Sequence, residues 1–351
     1  MKKLAIIGCG GIGRYHLGNF QKCRDIIELV GFCDIIPEKA EAFVQEAGCG
    51  KAFENFIDMY NETNPDMVFI CVPPYAHGDI EFETIKRGIH FFVEKPLALD
   101  MDLARRIRDA AEAKNLITAS GFQCRYSNLT EKNIEFCRDN EIVCVMCERT
   151  GGVPSAWWWR NKEISGGQVV EQAIHQYDMV RYTLGEPVEV SSFCTRGFVR
   201  DVENYNTDDC SVTIVRFESG ALGAFSIGDY AKNGNAADEK IIFKCRDKRA
   251  EHRILDSFKI YGEAPKAESG EVKGLVIAGD GQVSAGGGCV EYKEEGDKGL
   301  RCDRTFIEAV ISGDPSKIRS PYRDALKSVV FTMAINESMA TGKTIKLDLE
   351  K

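Results

Sequence analysis

The chain has 351 residues, of which 44% are hydrophobic and 28% charged, and its formal net charge is -9. This composition is typical of a globular protein, and the length predicts two domains. No block of lysine and arginine is present, which argues against nucleic acid or an anionic membrane as a main partner. No apolar run approaches the ~20 residues that a membrane span needs.

The first residues and the cysteines indicate the compartment. Two lysines precede a short apolar run that glycines interrupt, and no small-residue cleavage site follows, so we interpret the run as a first strand and expect a cytoplasmic protein. The 14 cysteines are then expected to be reduced thiols that pack as small apolar groups. Cys144 and Cys147 lie in a predicted strand, where residues three apart face opposite sides, so we expect no metal site or disulfide there.

The first motif is a glycine-rich turn between the predicted strand 4–7 and a helix. Gly8 permits the tight turn, Gly10 allows the backbone to approach a pyrophosphate, and Gly13 allows the helix to pack on the strand. Free N–H groups and the helix dipole favour an anion at that helix start. The alternative is a glycine turn that binds no ligand.

An acidic residue in the expected position accompanies this turn. Asp34 ends the next predicted strand, 21 residues after Gly13. A carboxylate there accepts hydrogen bonds from adenosine ribose hydroxyls and repels a 2′-phosphate, and Ile35, Ile36 and Pro37 provide no arginine to receive one. The sequence therefore predicts NAD in preference to NADP.

Strands and helices alternate up to about residue 120, which predicts a doubly wound parallel sheet. The predicted helices cover 37–48, 55–61 and 101–114, and the predicted strands cover 28–34, 66–72, 89–93 and 116–120. His77 follows Pro73 and Pro74 at a helix start near the expected dinucleotide. It either contacts the cofactor or packs at the helix start.

Glu94, Lys95 and Pro96 follow the apolar strand 89–93. Ligands bind at the carboxyl ends of parallel strands, so we expect Glu94 and Lys95 at the mouth of a cleft. Pro96 fixes its own φ and keeps Lys95 out of the helical region. Taken alone, the motif fits a solvated charged turn equally well.

After Gly121 the alternation stops, which places a domain boundary there. A large antiparallel sheet with helices on one face is predicted, and a second subunit commonly covers the other face of such a sheet. The predicted strands of this part cover 142–148, 188–199, 210–217, 221–228, 241–245, 257–261 and 290–292. The predicted helices cover 131–139, 303–311 and 321–341, and the last of them has Ser320 as N-cap and ends before Gly342. A glycine-rich loop is predicted at 279–288.

Two further segments carry candidate chemistry. The loop containing Trp157, Trp158, Trp159 and Arg160 either stacks on a sugar or aromatic ligand or fills an interface or core. After two glycines, a predicted helix places Glu171 one turn before His175, where the acid can orient the imidazole as a general base. A surface ion pair is the alternative, and a metal site would lack its third and fourth ligands.

Taken together, the glycine turn, Asp34, the Glu94-Lys95-Pro96 turn and the helix with Glu171, His175 and Asp178 resemble the Gfo/Idh/MocA oxidoreductases over essentially the whole chain. The resemblance implies a Rossmann NAD-binding domain at 1–120. It also implies an open-faced α+β domain at 121–351 that binds substrate and forms a homo-oligomer (a dimer, tetramer or hexamer) through its sheet. Glu171 stands where inositol dehydrogenases carry aspartate, and this departure affects the substrate geometry.

The resemblance also implies hydride transfer between NAD and a secondary ring hydroxyl of a sugar, glycoside or cyclitol. We favour a ring carbon such as C3, partly because the tryptophan loop is suited to hold a glycosidic aglycone. Lys95 matches the family's active-site lysine and His175 its catalytic histidine. Glu171 is expected to orient His175 or to bind a neighbouring hydroxyl of the substrate. The expected cofactor residues are Gly8, Gly10, Gly11, Ile12, Gly13, Asp34, Pro73, His77, Glu94 and Lys95; the expected substrate residues are Lys95, Arg125, Tyr126, Trp158, Trp159, Arg160, Glu171 and His175, with no metal. The alternatives are redox-neutral glycoside cleavage through a keto-sugar and a non-catalytic NAD-binding regulator.

Overall fold

The computed structural model describes residues 1–263, 275–277, 283–285 and 288–350. Its first sheet is parallel, with strand order β3-β2-β1-β4-β5-β6. The strands are β1 Lys2–Ile7, β2 Ile27–Cys33, β3 Lys51–Phe53, β4 Met67–Ile70, β5 His90–Val93 and β6 Thr118–Ser120, and the helices between them are α1 Gly11–Phe20, α2 Pro37–Ala47, α3 Phe56–Thr63, α4 Asp79–Lys86 and α5 Met101–Ala113. The predicted doubly wound sheet is thus confirmed. Its strand order reverses between β1 and β4, where such folds bind ligands.

The second sheet has nine strands in the order β16-β13-β12-β11-β7-β10-β9-β8-β17, all antiparallel except for the pair β7 and β10. The strands are β7 Cys144–Thr150, β8 Pro187–Thr195, β9 Cys210–Phe217, β10 Leu222–Gly228, β11 Asp238–Lys244, β12 Arg249–Arg253, β13 Ser257–Glu263, β16 Gly288–Lys293 and β17 Ile345–Lys346, and a separate pair is formed by β14 Leu275–Ile277 and β15 Val283–Ala285. The prediction omitted β12. The glycine-rich loop predicted at 279–288 lies partly outside the described residues, and β15 falls within it.

The remaining helices cover one face of this sheet or lead into it. They are α6 Asn128–Asp139, α7 Lys162–Ser165, α8 Gln168–Glu171, α9 Ile174–Leu184, α10 Lys298–Ser312 and α11 Tyr322–Thr341. Tyr177 of α9 stacks on Phe225 of β10, with 4.5 Å between ring centroids, and Phe331 of α11 packs against the same tyrosine. These contacts form the second hydrophobic core.

Two predicted helix boundaries were wrong for identifiable reasons. The helix predicted after Gly167 is broken at Gln172 and Ala173, so Glu171 ends α8 and His175 lies in α9. Ser320 does not cap α11, because its hydroxyl donates to the carbonyl of Ser120 and Pro321 occupies the N-cap position.

The last two long helices return to the first sheet. Cys302, Phe306 and Ile307 of α10 join the core on the side of α1 and α2, and Tyr322 and Leu326 of α11 join the core on the opposite side. The predicted division at residue 121 therefore does not separate two independent cores. This arrangement brings the carboxyl ends of the first sheet against α8 and α9.

Among the described residues, no helix is long and apolar enough to cross a bilayer. The predicted alternation of the two β7 cysteines is confirmed, since Cys147 is buried and Cys144 is partly exposed.

Candidate functional site

The glycine-rich turn has the geometry that a dinucleotide needs. Gly8 has a φ of 94°, and a Cβ there would lie 2.3 Å from the carbonyl oxygen of Cys71. A Cβ on Gly13 would lie 2.2 Å from the carbonyl oxygen of Gly8, which explains the close packing of α1 on β1. At Gly10, by contrast, a Cβ would enter open space. The two outer glycines thus serve the fold, and the middle one leaves room for a ligand.

The N-terminus of α1 is open to an anion. Gly10 is its N-cap residue, and none of the described side chains caps this helix. The first N–H groups of a helix have no partner within it, and the helix dipole favours negative charge there. The residues present therefore fit the pyrophosphate of a dinucleotide, with Gly11, Ile12 and Gly13 supplying the first turn.

Asp34 is held rigidly beside this turn. Its Oδ2 accepts from the backbone N–H of Cys9 at 2.9 Å and its Oδ1 accepts from that of Ile36 at 2.9 Å. The carboxylate is partly exposed, and the neighbouring Ile35 is 89% exposed. A fixed, accessible carboxylate next to the glycine turn is suited to accept from ribose hydroxyls.

The turn after β5 brings Lys95 to the other half of the molecule. The peptide bond between Lys95 and Pro96 is cis. Lys95 Nζ donates to the main-chain oxygen of Glu171 at 2.8 Å and to its Oε1 at 3.2 Å. The same ammonium lies 5.9 Å from the ring centroid of Trp159. Lys95 and Glu171, both expected at the substrate, therefore lie in one cleft, and among the described residues Glu171 binds the lysine and not His175.

Burial sets the protonation states of the acid and the imidazole. Burial raises the pKa of Glu171 to about 7, while Lys95 opposes this shift. Burial, together with the nearby charges of Lys95 and Arg149, lowers the pKa of His175 to about 3. His175 is therefore a neutral imidazole at physiological pH, which is the form that accepts a proton.

Several buried polar atoms at this place have no partner within the described residues. They are Oε2 of Glu171, Nδ1 of His175 and Nε1 of Trp159. A buried polar group without a hydrogen bond costs about 1–3 kcal/mol. Three such atoms around one ammonium indicate a site that a polar ligand completes.

The tryptophan loop contributes one wall of the cleft. Trp157 is 68% exposed, whereas Trp158 and Trp159 are partly buried with their ring centroids 5.7 Å apart. Arg160 is turned back on its own loop, where its Nε donates to the carbonyl of Pro154 at 2.8 Å. Its guanidinium therefore holds the loop in shape.

Arg125 and Tyr126 lie outside the cleft. Arg125 is fully buried, and its Nε donates to Asp178 at 2.9 Å. The same guanidinium also contacts Asp324 and donates to the carbonyl of Arg319 at 2.6 Å. The Tyr126 hydroxyl accepts from the backbone N–H of Arg319 at 2.9 Å. Their sequence position suggested ligand contacts, but neither side chain has surface to offer a substrate, because protein groups occupy both.

Three other predicted cofactor residues have mixed surroundings. The Glu94 carboxylate points inward, since its Oε1 binds His16 and its Oε2 accepts from the backbone N–H of Lys95 at 3.1 Å. His77 Nδ1 lies 2.6 Å from Glu81 Oε1 at the start of α4, which matches the packing alternative. Pro73 is partly exposed just after β4.

Sequence reasoning missed His16, Asp303 and Arg149. His16 follows the glycine turn directly, but its partner Asp303 is 287 positions away, so no local pattern signals the pair. Arg149 stands near the end of β7 and makes an ion pair with Asp229 of 2.5 Å. Within the described residues, no cluster of three side chains is arranged to hold a metal.

Comparison with known proteins places this geometry in context. Residues 2–122 match the GFO_IDH_MocA model, described as an oxidoreductase family with an NAD-binding Rossmann fold, and residues 140–347 match the corresponding C-terminal alpha/beta domain. Myo-inositol 2-dehydrogenase of Thermotoga maritima is 25% identical over 356 aligned positions, covering 99% of this chain and 98% of that protein.

Two further relatives are informative. D-glucoside 3-dehydrogenase of Escherichia coli is 26% identical over 238 aligned positions, covering 63% of this chain and 68% of that protein. The structure of a levoglucosan dehydrogenase in complex with NADH superposes with a TM-score of 0.82 at 18% identity, covering 99% of each chain.

The Asp34 geometry predicts the cofactor preference. We expect NAD to bind at least about tenfold tighter than NADP, a difference of about 1.4 kcal/mol, because the carboxylate repels a 2′-phosphate. Replacing Asp34 by Ser is expected to shrink this gap. Calorimetric titration of both dinucleotides measures it.

The control is Asp102→Ser, which removes the same charge from a side chain that is 91% exposed at the start of α5. An unchanged NAD:NADP ratio in the Asp34→Ser protein would contradict this role for the carboxylate.

Proposed function

The chain belongs to the Gfo/Idh/MocA family of NAD-binding oxidoreductases, and we propose that within it the protein oxidises a secondary ring hydroxyl of a sugar, glycoside or cyclitol. The observation that carries this proposal is the cleft where Lys95 Nζ meets Glu171, beside buried atoms of Glu171, His175 and Trp159 that have no partner among the described residues. A molecule with several adjacent hydroxyls can satisfy such a set of donors and acceptors. The names of the T. maritima and E. coli relatives support the same substrate class.

The chemistry divides between the cofactor and the chain. NAD, when bound, supplies the carbon that accepts the hydride, and the glycine turn and Asp34 hold it. Loss of hydride from a secondary alcohol requires that the hydroxyl lose a proton. We assign acceptance of this proton to His175, which is uncharged at physiological pH and therefore has a ring nitrogen able to accept it.

Lys95 acts on the same oxygen. Its ammonium is nearly buried, with 13% of the side chain exposed, so it interacts strongly with charge that develops on the substrate oxygen. We assign it the stabilisation of the alkoxide. Glu171 holds Lys95 through two acceptors, and its remaining oxygen, Oε2, is free to accept from a neighbouring hydroxyl.

Trp159 and Trp158 form the wall of the site in this proposal. An indole face packs well against the C–H face of a pyranose or cyclitol ring, and the Trp159 N–H can donate to a ring substituent. Oxidation at C3 of a glycoside is the specific form that we propose, supported by the name of the E. coli relative. Net glycoside cleavage through a keto-sugar would leave no accumulated NADH.

The proposal is tested by measuring NAD reduction on myo-inositol, glucose and methyl β-D-glucoside. We expect turnover on at least one of them, with kcat lowered about 10²–10³-fold in the Lys95→Met protein because a charge-stabilising donor is lost. Lys114→Met is the matched control, since this side chain is exposed and its only hydrogen bond among the described residues is to the carbonyl of Lys86. Turnover within tenfold of wild type in Lys95→Met would contradict the mechanism.

The titration of Glu171 predicts a pH dependence. Because its pKa is raised to about 7, the carboxylate is protonated below that pH and loses an acceptor for the substrate. We expect kcat/KM to fall about tenfold per unit as the pH drops below 7. His175, with a pKa near 3, contributes nothing in this range.

A pH series of kcat/KM on wild type and on Glu171→Gln measures this effect. The glutamine has no proton to gain, so its profile is expected to be flat between about pH 5 and 7. A limb that survives unchanged in Glu171→Gln would assign the titration to another group.

We further propose that the outer face of the second sheet forms a homo-oligomer interface. Neighbouring strands expose Met146, Phe193, Val212, Ile214 and Leu222 there, each at least 41% accessible. The strand register places these side chains on one face of the sheet, with Phe193 opposite Val212 and with Met146 and Ile214 on the two sides of Ala224. An exposed apolar patch of this kind marks an association surface.

Replacing Val212 and Ile214 together by glutamate is expected to convert the oligomer to a monomer. In a symmetric interface the carboxylates of the two copies would repel one another, and burying them would cost desolvation free energy. Light scattering after size-exclusion chromatography measures the mass. The control pair Ile35→Glu with Ile57→Glu also replaces exposed apolar side chains, but in the first domain. A wild-type monomer at micromolar concentration would contradict the proposal.

A further inference from the structure

His16 occupies a closed site beneath the active-site turn. Its ring lies 5.2 Å from that of Phe69, 5.3 Å from that of Phe92 and 6.1 Å from that of Phe20, and its side chain is 3% exposed. These aromatic rings keep water away from the imidazole of His16. Whatever the two ring nitrogens bind must therefore come from the protein.

Both nitrogens face carboxylates. Nε2 lies 3.0 Å from Oε1 of Glu94 and Nδ1 lies 2.8 Å from Oδ2 of Asp303. These two residues are the charged groups that face the ring, one from the β5 turn and one from α10. A carboxylate accepts hydrogen bonds, so both nitrogens must carry protons when both acids are ionised. Burial alone would lower the pKa of His16, but the two carboxylates outweigh it and raise the pKa to about 10.

Asp303 anchors this arrangement from the far end of the chain. Its Oδ2 also accepts from Asn19 Nδ2 at 2.8 Å, so two residues of α1 share one acceptor on α10. The helices approach closely here, since a Cβ on Gly299 would overlap the hydroxyl of Tyr15 at 1.7 Å. α10 thus fixes the position of the His16 ring.

Glu94 connects the His16 ring to the turn after β5 that carries Lys95. One oxygen of its carboxylate binds His16, and the other accepts from the backbone N–H of Lys95. Gly121 packs against a third side of the Glu94 carboxylate, since a Cβ on this glycine would lie 2.3 Å from it. These contacts hold the Glu94 carboxylate in one position, and its hydrogen bond holds the backbone of Lys95 there as well. Lys95 Nζ reaches Glu171 from this fixed base.

We propose that His16 is a positioning residue for Lys95, because its ring ties the Glu94 carboxylate to Asp303 and so fixes the turn from which the active-site lysine extends. The inference rests on the role proposed for Lys95 above. α1 also begins at the glycine-rich turn. The same helix would therefore bind the cofactor at its N-terminus and, through His16, fix the position of Lys95. A displacement of about 1 Å at a reacting group costs up to about 10²-fold in rate.

The first test needs no turnover. Labelling of Lys95 by an amine-reactive reagent, followed by peptide mass spectrometry, reports how firmly Nζ is held. In His16→Leu we expect labelling at Lys95 at least fivefold faster than in wild type. Lys162, whose side chain is 22% exposed and paired with Asp208, serves as the internal reference and is expected to keep its rate. Equal labelling of Lys95 in both proteins would overturn the proposal.

A conservative rescue separates positioning from a general structural role. In His16→Gln with Asp303→Asn, the glutamine amide can donate to Glu94 and accept from the asparagine, so slow labelling of Lys95 is expected to return. His90→Gln is the control. This imidazole accepts from the backbone N–H of Ile117 at the other end of β5 and is expected to leave the rate unchanged. Fast labelling in the double variant, or of Lys95 and Lys162 alike, would make His16 a purely structural residue.

Kinetics add a second readout on any substrate that the wild type oxidises. We expect kcat of His16→Leu to fall at least tenfold, with the KM for NAD changed less than threefold, and the double variant to recover most of kcat. A rise in the KM for NAD alone would contradict the proposal. If wild type oxidises no polyol, the proposed function fails, whereas the labelling result still decides the role of His16.

Discussion

The contact on which this site depends is the one between the Lys95 ammonium and Glu171. Lys95 extends from the end of a parallel strand in the first sheet, and Glu171 ends a short helix that packs on the second sheet. A nearly buried ammonium needs an acceptor, and a buried carboxylate needs a donor. The two halves of the chain therefore satisfy each other at the cleft. The main-chain oxygen of Glu171 shares the same ammonium, which fixes the helix end as well as the side chain.

The Lys95–Glu171 pair leaves buried polar atoms around it without hydrogen bonds among the described residues. Glu171 Oε2, His175 Nδ1 and Trp159 Nε1 are buried without partners among the described residues. In a stable protein such atoms are uncommon, because each lost hydrogen bond costs free energy. A polyhydroxylated ring supplies both donors and acceptors, so the unpaired atoms and the proposed substrate have one explanation. The low pKa of His175 follows from the same burial and from its cationic neighbours.

Much of the first sheet and its site could be predicted from the sequence. The glycine turn, Asp34 and Lys95 each follow a strand, and parallel strands align their carboxyl ends at one edge of the sheet. Local patterns were sufficient because each of these residues lies next to the strand that positions it. The same reasoning named Glu171 and His175 as candidates, but it assumed a continuous helix and so paired them with each other. The break at Gln172 and Ala173 instead turns Glu171 to Lys95.

Residues whose roles depend on distant partners could not be read from the sequence. Arg125 stands just after the first domain and looked like a ligand contact, yet its partners Asp178 and Asp324 lie 53 and 199 positions further along. His16 has the same character, because only the return of α10 supplies Asp303. Long-range ion pairs leave no periodicity or spacing to detect. They are nonetheless what joins α1, the β5 turn and the C-terminal helices.

The most direct measurement follows the hydrogen itself. Methyl β-D-glucoside carrying deuterium only at C3 would be incubated with the protein and NAD, and the nicotinamide product examined by mass spectrometry. We expect deuterium in the NADH and a rate slower than with the unlabelled glycoside. NADH that contains only protium would contradict hydride transfer from that ring carbon. Glycoside cleavage without accumulated NADH would contradict net oxidation.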